Sequence, residues 1–215
     1  MIAKDGYPVI AYTGAILILL LLLSMYLDWI IIDILTVLAG IVFVFNFYFL
    51  RDPERQIPAG DHLILSPADG TILKINTVEE PLYFREKVQM VSIFMSPLNV
   101  HVNRLPISGK VNYLDYQKGK YLAAFNDDAS DVNEQSIIGV ENKHGKVLFK
   151  QIAGVLARRI VCHLQVGDMV TAGERFGLIR YGSRLDVFIP ADAAVKVHLK
   201  QKVKAGETIL AEFKS

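Results

Sequence analysis

The sequence predicts a mainly β domain preceded by an N-terminal transmembrane helical hairpin. Three observations predict it: the first 50 residues are almost free of charge, the chain beyond Pro58 runs in short β-rich segments, and one five-residue motif occurs twice. Residues 1–50 carry four charges, Lys4, Asp5, Asp28 and Asp33, against 41 in the remaining 165 residues. The latter density is ordinary for a folded domain and the former is not. A hydrophobic content of 52% therefore describes an apolar anchor (1–50) joined to a globular domain (51–215), and it excludes a disordered, collagen-like or disulfide-stapled chain. The single cysteine, Cys162, forms no internal disulfide and fits a reducing compartment. Residues 51–215 hold 22 basic against 19 acidic groups, which gives no electrostatic case for nucleic acid as a partner.

Gly6 to Leu27 is a 22-residue stretch without charge, and as a helix it spans roughly 33 Å, enough to cross a bilayer. A cleaved signal peptide is the competing reading, but the apolar run is too long and no small-x-small site precedes the next apolar stretch. That stretch, Ile34 to Leu50, has 17 residues, the lower limit for a span. Asp33 near a helix centre would cost about 2.5 to 3.5 kcal/mol, so Asp28, Trp29 and Asp33 are expected in the turn between two helices. Arg51, Arg55 and Lys4 against that acidic turn place both chain ends on the cytoplasmic side of the cell membrane. A single span followed by an interfacial helix is the alternative.

Beyond Pro53 and Pro58, the runs Thr71 to Asn76, Val88 to Met95, Lys110 to Tyr116, Val147 to Ile152 and Arg184 to Ile189 read as strands, separated by Gly, Pro, Asn and Asp. Only Val155 to Leu164 shows helical spacing. Val170-Thr-Ala-Gly-Glu174 reappears as Val203-Lys-Ala-Gly-Glu207, as two hairpins related by a pseudo-twofold axis would show. Such turns resemble those of lipoyl and biotinyl carrier domains and other barrel-sandwich hybrids. Shared turn chemistry, with Gly173 and Gly206 at positive φ, explains the echo equally.

Three segments could carry chemistry. Ser66-Pro-Ala-Asp-Gly70 is locally a turn, with Asp69 as a turn residue. Residues 96–106, which follow the apolar strand, present His101, Asn103 and Arg104 together: an acid/base beside a cation able to pair with carboxylates. Gly182-Ser183 lies between two strands and reads either as a hairpin turn or as a place where a serine hydroxyl reaches the carbonyl before it, because Gly182 has no Cβ to obstruct the attack. G-x-S-x-G is absent, so no nucleophile elbow is indicated. His62, His144, His163 and His198 are scattered and lack metal-ligand spacing. No Gly-rich phosphate cup suggests pyridoxal phosphate.

These segments, with Phe49-Leu-Arg-Asp-Pro-Glu-Arg55, Gly119 to Glu134 and Gln151 to Cys162 with Ala157-Arg-Arg159, together resemble the short bacterial and archaeal branch of the phosphatidylserine decarboxylases. The resemblance implies a proenzyme that cuts itself at Gly182-Ser183 into a β chain, 1–182, and an α chain, 183–215. Ser183 becomes a covalently derived pyruvoyl group, which forms a Schiff base with the substrate; no metal and no pyridoxal phosphate are involved. It also implies Asp69 orienting His101 against Ser183, a phospholipid substrate in the membrane, and release of phosphatidylethanolamine and carbon dioxide. Asn103 and Arg104 are headgroup-binding candidates by position alone. Arg51, Arg55, Arg158 and Arg159 either meet lipid phosphate or are surface charge. The longer bacterial branch carries H-x-x-H-x-P, whereas His101-Val-Asn-Arg-Leu-Pro106 has arginine at the second place, which leaves the division of labour at His101 open. Two rivals remain at this point: the same chemistry on archaetidylserine, and a non-catalytic, membrane-anchored binding domain. A second copy of the chain is a further candidate partner.

Overall fold

The computed structural model describes residues 1–122, 132–154, 160–179 and 183–214. The chain divides into two compact units, Met1–Glu54 and Arg55–Ser215.

The first unit is a pair of apolar helices, α1 (Tyr7–Tyr26) and α2 (Ile30–Phe49). Pro8 lies in the first turn of α1, where its missing N–H costs nothing. Both helices are long and apolar enough to cross a membrane, and their large side chains, Leu19, Leu22, Ile41 and Val44 among them, are turned outward, as a lipid environment favours. The two ends of the pair are tied together. Ala3 N–H donates to the Leu50 carbonyl at 2.9 Å, and Asp52 N–H to that of Met1 at 2.7 Å. Helix α2 begins four residues before Ile34, so Asp33 lies in its first turn rather than in the loop. There the helix dipole favours a carboxylate, and the Ser24 hydroxyl donates to it.

The second unit is mainly β. Its strands are β1 (Leu63–Leu65), β2 (Gly70–Glu80), β3 (Glu86–Met95), β4 (Val102–Arg104), β5 (Gly109–Gln117), β6 (Gln135–Asn142), β7 (Gly145–Ile152), β8 (Ile160–Cys162), β9 (Met169–Val170), β10 (Arg175–Ile179), β11 (Ser183–Ile189), β12 (Ala194–Val195), β13 (Lys202–Val203) and β14 (Ile209–Glu212). They form a curled eight-stranded sheet, in the order β13-β2-β3-β11-β7-β6-β5-β9, and two three-stranded sheets, β1-β14-β12 and β4-β10-β8. The helical spacing of Val155 to Leu164 is not realised in its described part, because Ile160–Cys162 pair with β10 as strand β8; residues 155–159 lie outside the described residues.

The large sheet is apolar on both faces where its middle strands lie. Alternation along β3, β7 and β11 turns Val91, Ile93, Val147, Phe149, Leu185 and Val187 into the main core, and Met90, Leu148 and Phe188 into a smaller cluster on the opposite face. Strand β11, between β3 and β7, is consequently buried along all seven of its residues.

The repeated motif forms two like turns. Gly173 and Gly206 adopt φ of 81° and 74°, a region that only glycine enters without penalty. Gly173 N–H donates to the Leu105 carbonyl, and Gly206 N–H to that of Ser66, each at 2.8 Å. Ile57 packs against both turns.

Candidate active site

The apolar core ends in a polar layer at one edge of the large sheet. Ser183 opens β11 opposite Met95 of β3, while Gln151 of β7 stands opposite Leu185 on one side and Ser136 of β6 on the other. The period-2 alternation puts Met95, Ser183, Gln151 and Ser136 on the core face. All four are buried, and Ser183 has no exposed surface. The Ser183 hydroxyl donates to Met95 Sδ at 3.3 Å. Asn103 of β4, reaching in from the smaller sheet, donates from Nδ2 to the same sulfur at 3.8 Å. Its Oδ1 accepts from Gln151 Nε2 at 2.9 Å.

His101, immediately before β4, is 2% exposed. Its Nδ1 lies 2.9 Å from the carbonyl of Asn99. A carbonyl only accepts, so Nδ1 carries the proton, and in the neutral ring Nε2 is the basic nitrogen. Asn99 is itself held, its Oδ1 accepting from both the backbone N–H and the hydroxyl of Ser96. The group that orients His101 from this side is thus a backbone carbonyl.

Asp69 is engaged elsewhere. Its carboxylate accepts from Arg55 Nη2 at 2.8 and 2.9 Å and from the Ala205 N–H at 2.8 Å; the structure does not pair it with His101. The contact holds the turn of residues 66–70, whose Pro67 carbonyl accepts the Arg104 N–H at 2.9 Å, so Asp69 supports β4 from behind. Arg55, read from the sequence as meeting lipid phosphate or as surface charge, is a buried partner of Asp69, with side-chain exposures of 7% and 13%. Arg104 alternates with Asn103 along β4 and so points to the opposite side of the strand. There Nη1 donates to the Gly173 carbonyl at 2.9 Å and the side chain packs on Gly206, which makes it a tie between the repeated turns. Gly182, Arg158 and Arg159 lie outside the described residues.

A second buried ion pair sits on the other face of β11. Arg184 Nε donates to Asp186 Oδ1 at 2.7 Å and Nη2 to the Ser92 hydroxyl at 3.0 Å, beside a cleft of about 310 Å³ that Lys74 and Lys150 also line. Near β8, burial pushes the Cys162 thiol up, which keeps it protonated and a weak nucleophile. Partial burial and the Glu134 carboxylate push the Tyr116 phenol up to about 12. No group of three or more His, Cys, Asp or Glu side chains suited to a metal is present among the described residues.

The buried Ser183 and His101 both lie in the part of the chain that matches a known family. A model of the phosphatidylserine decarboxylase family matches residues 42–211. The chain belongs to this family. It is 44% identical over 211 residues to a phosphatidylserine decarboxylase proenzyme of Symbiobacterium thermophilum, covering 98% of this chain and 94% of that one. It is 42% identical over 213 residues to the proenzyme of Chlorobium limicola, covering 99% and 100%, and 51% identical over 171 residues to that of a Wolbachia of Brugia malayi, covering 77% and 74%. The phosphatidylserine decarboxylase match runs from within α2 through most of β14, so it takes in every strand described above.

Sequence reasoning missed Met95 and Gln151. Met95 ends an apolar run and carries no polar signal. Gln151 did carry one: in Val147-Leu-Phe-Lys-Gln-Ile152, alternation assigns it to the same face as Val147 and Phe149, and a polar residue at an inward position is informative.

Proposed function

We propose that the chain is a pyruvoyl-dependent phosphatidylserine decarboxylase, made as a proenzyme that cuts itself at Gly182-Ser183 into 1–182 and 183–215. The observation that carries this reading is Ser183 itself: a fully buried hydroxyl at the first residue of the doubly covered strand β11, turned into the polar end of the core. Serine there is a poor choice for stability, because its only side-chain partner among the described residues is a thioether, a weak acceptor. The relatives, all named phosphatidylserine decarboxylase proenzymes, favour this substrate over archaetidylserine and over a non-catalytic binding domain.

In the first step Ser183 Oγ attacks the Gly182 carbonyl, the peptide C–N bond breaks, and an ester joins Gly182 to Oγ. His101 is the candidate base: with Nδ1 donating to the Asn99 carbonyl, Nε2 is the basic nitrogen that would take the hydroxyl proton. Loss of the Ser183 α-proton then expels Oγ with the Gly182 carboxylate, and water converts the resulting dehydroalanine to a pyruvoyl group and ammonia. The residues present fit such a group, since among the described residues the Ser183 hydroxyl bonds to a neutral thioether and the Asn103 amide N–H faces the same sulfur. When present, it supplies the electron sink that decarboxylation of an amino acid requires and that no ordinary side chain provides. His101 would then return a proton to the substrate α-carbon. Asp69 serves by holding the turn behind β4, and Asn103 is the better headgroup candidate of the two first considered.

The apolar helix pair supports placement in the cell membrane, where anchoring confines enzyme and lipid to the same layer and raises their effective concentration. Lys4 and Arg51, flanking the tied ends of the pair, favour the cytoplasmic side.

The test is the intact mass of the purified chain under denaturing conditions. The expected result is a fragment of residues 183–215 lighter by one ammonia than a serine-started peptide, and a single uncut chain for Ser183→Ala. Cleavage of that variant at the same bond would sink the serinolysis account.

A further inference from the structure

The buried amide pair of Gln151 and Asn103 is not explained by stability. Gln151 occupies a core-facing position that continues Val147 and Phe149, where leucine would pack without any polar requirement. Its Nε2 donates to Asn103 Oδ1 at 2.9 Å and reaches the Val161 carbonyl at 3.5 Å, but its Oε1 is buried with no partner among the described residues. Burying two amides and leaving one acceptor unmet is costly. What the arrangement does accomplish is orientation. An asparagine amide can present either its oxygen or its nitrogen to a given neighbour. Because Gln151 Nε2 claims Oδ1, Nδ2 is the end that faces Met95 Sδ, and that sulfur also receives the Ser183 hydroxyl.

Self-processing needs a donor there at one particular moment. Serinolysis moves the Gly182 acyl group from the Ser183 nitrogen to Oγ and frees the amine. A base then removes the α-proton of Ser183. The Cα–H electron pair forms the Cα=Cβ bond, and the Cβ–Oγ pair departs on Oγ, which becomes one oxygen of the Gly182 carboxylate. Negative charge thus accumulates on Oγ in a site without exposed surface, where a fixed N–H dipole is worth far more than in water. The opposite amide orientation would aim a lone pair at the sulfur that the Ser183 hydroxyl contacts.

We propose that the Gln151–Asn103 pair serves this elimination: Gln151 is a positioning residue that turns Asn103 Nδ2 toward Ser183 Oγ, and the Asn103 N–H stabilises the charge that this oxygen acquires as it leaves Cβ. The inference rests on the self-cleavage reading and adds to it the step at which these residues act.

The experiment follows processing of the full-length chain, expressed at low temperature and purified in detergent, by denatured mass with and without hydroxylamine. Hydroxylamine attacks an ester but not a peptide bond, giving a Gly182 hydroxamate and a fragment beginning with intact Ser183, one ammonia heavier than the processed one. For Gln151→Leu, the processed fragment is expected to form at least about tenfold more slowly than in the wild type, while hydroxylamine-labile chain accumulates. Gln151→Glu adds a readout that packing alone would not move. Protonated, the introduced carboxyl group donates to Asn103 Oδ1 as the amide did; ionised, it recruits Nδ2 and reverses Asn103. Its rate relative to wild type is therefore expected to be restored near about pH 5 and lost near about pH 9. Processing of both variants at the wild-type rate overturns the proposal. So does a Gln151→Glu chain that stays inert to hydroxylamine and uncut at every pH. A wild-type chain as uncut as Ser183→Ala would instead remove the self-cleavage reading on which the proposal rests.

Discussion

At the scale of single residues, the polar groups of the second unit are placed by what they must not do, which is remain buried and unpaired. Arg55 and Asp69 show this most plainly. Together they form an ion pair with the Ala205 N–H as a third member, and Glu207 approaches Arg55 at 3.5 Å from its more exposed side. Removing one partner of such a pair is expensive, whereas removing both need not be. Arg55→Met on a Ser183→Ala background, where the chain stays whole, is expected to lose about 3 kcal/mol of stability in denaturant unfolding, and Arg55→Met with Asp69→Leu markedly less than the sum of the two single changes. Additive costs would show that the contact is incidental. The residue-level reading of the sequence located Ser183, His101, Asn103 and Asp69 through motifs, but it assigned partners by analogy and charge. The resemblance implied Asp69 against His101, and Arg55 was read as a lipid contact or surface charge; in the structure Asp69 and Arg55 bond to each other, because a carboxylate in a turn takes whichever buried cation the fold brings to it, and Arg55 stands 14 positions earlier in the chain.

At the scale of elements, the repeated turns join the three sheets. The turn at Gly173 is tied to the residue after β4 and the turn at Gly206 to the residue after β1, by equivalent backbone hydrogen bonds, and Arg104 and Ile57 lie against both. Either glycine replaced by alanine must hold a Cβ at positive φ, at a cost of about 1 to 2 kcal/mol. At Gly173 the new atom would also meet Ile57 at 2.5 Å, against 3.0 Å at Gly206. Thermal unfolding is thus expected to rank Gly173→Ala below Gly206→Ala, with both below the parent, and a reversed order would mean that Ile57 yields easily. Five strands were legible from their β-rich composition and the Gly, Pro, Asn and Asp residues between them, since Val88 to Met95 and its counterparts are long enough to stand out between turns. The short strands β4, β8 and β10 were not, because three to five residues give too little periodicity to separate from a turn or a helical fragment. That is why Val155 to Leu164 read as helical although Ile160–Cys162 is a strand: its pairing with β10 is a long-range contact that local spacing does not encode.

At the scale of the whole molecule, the two units show opposite surfaces. The helix pair turns leucine, isoleucine and valine outward, which water would penalise and a bilayer does not, while the second unit encloses its own apolar core. The full-length protein is expected to stay in the membrane fraction through an alkaline carbonate wash, and protease applied from outside intact spheroplasts is expected to leave the second unit whole. Extraction by carbonate would show a peripheral association, and digestion from outside would reverse the assigned side. The two apolar helices, the mainly β class and the family could all be read from the linear chain, since hydrophobic length, β-rich runs and ordered motifs are local properties that survive without a fold. The polar layer around Ser183 could not. Met95, Asn103, Gln151 and Ser183 come from four different strands in two sheets; that Ser183 and Asn103 meet at the Met95 sulfur while Gln151 holds Asn103 depends on strand order and register, which arise when non-local strands compete to bury their apolar faces and are written in no single segment.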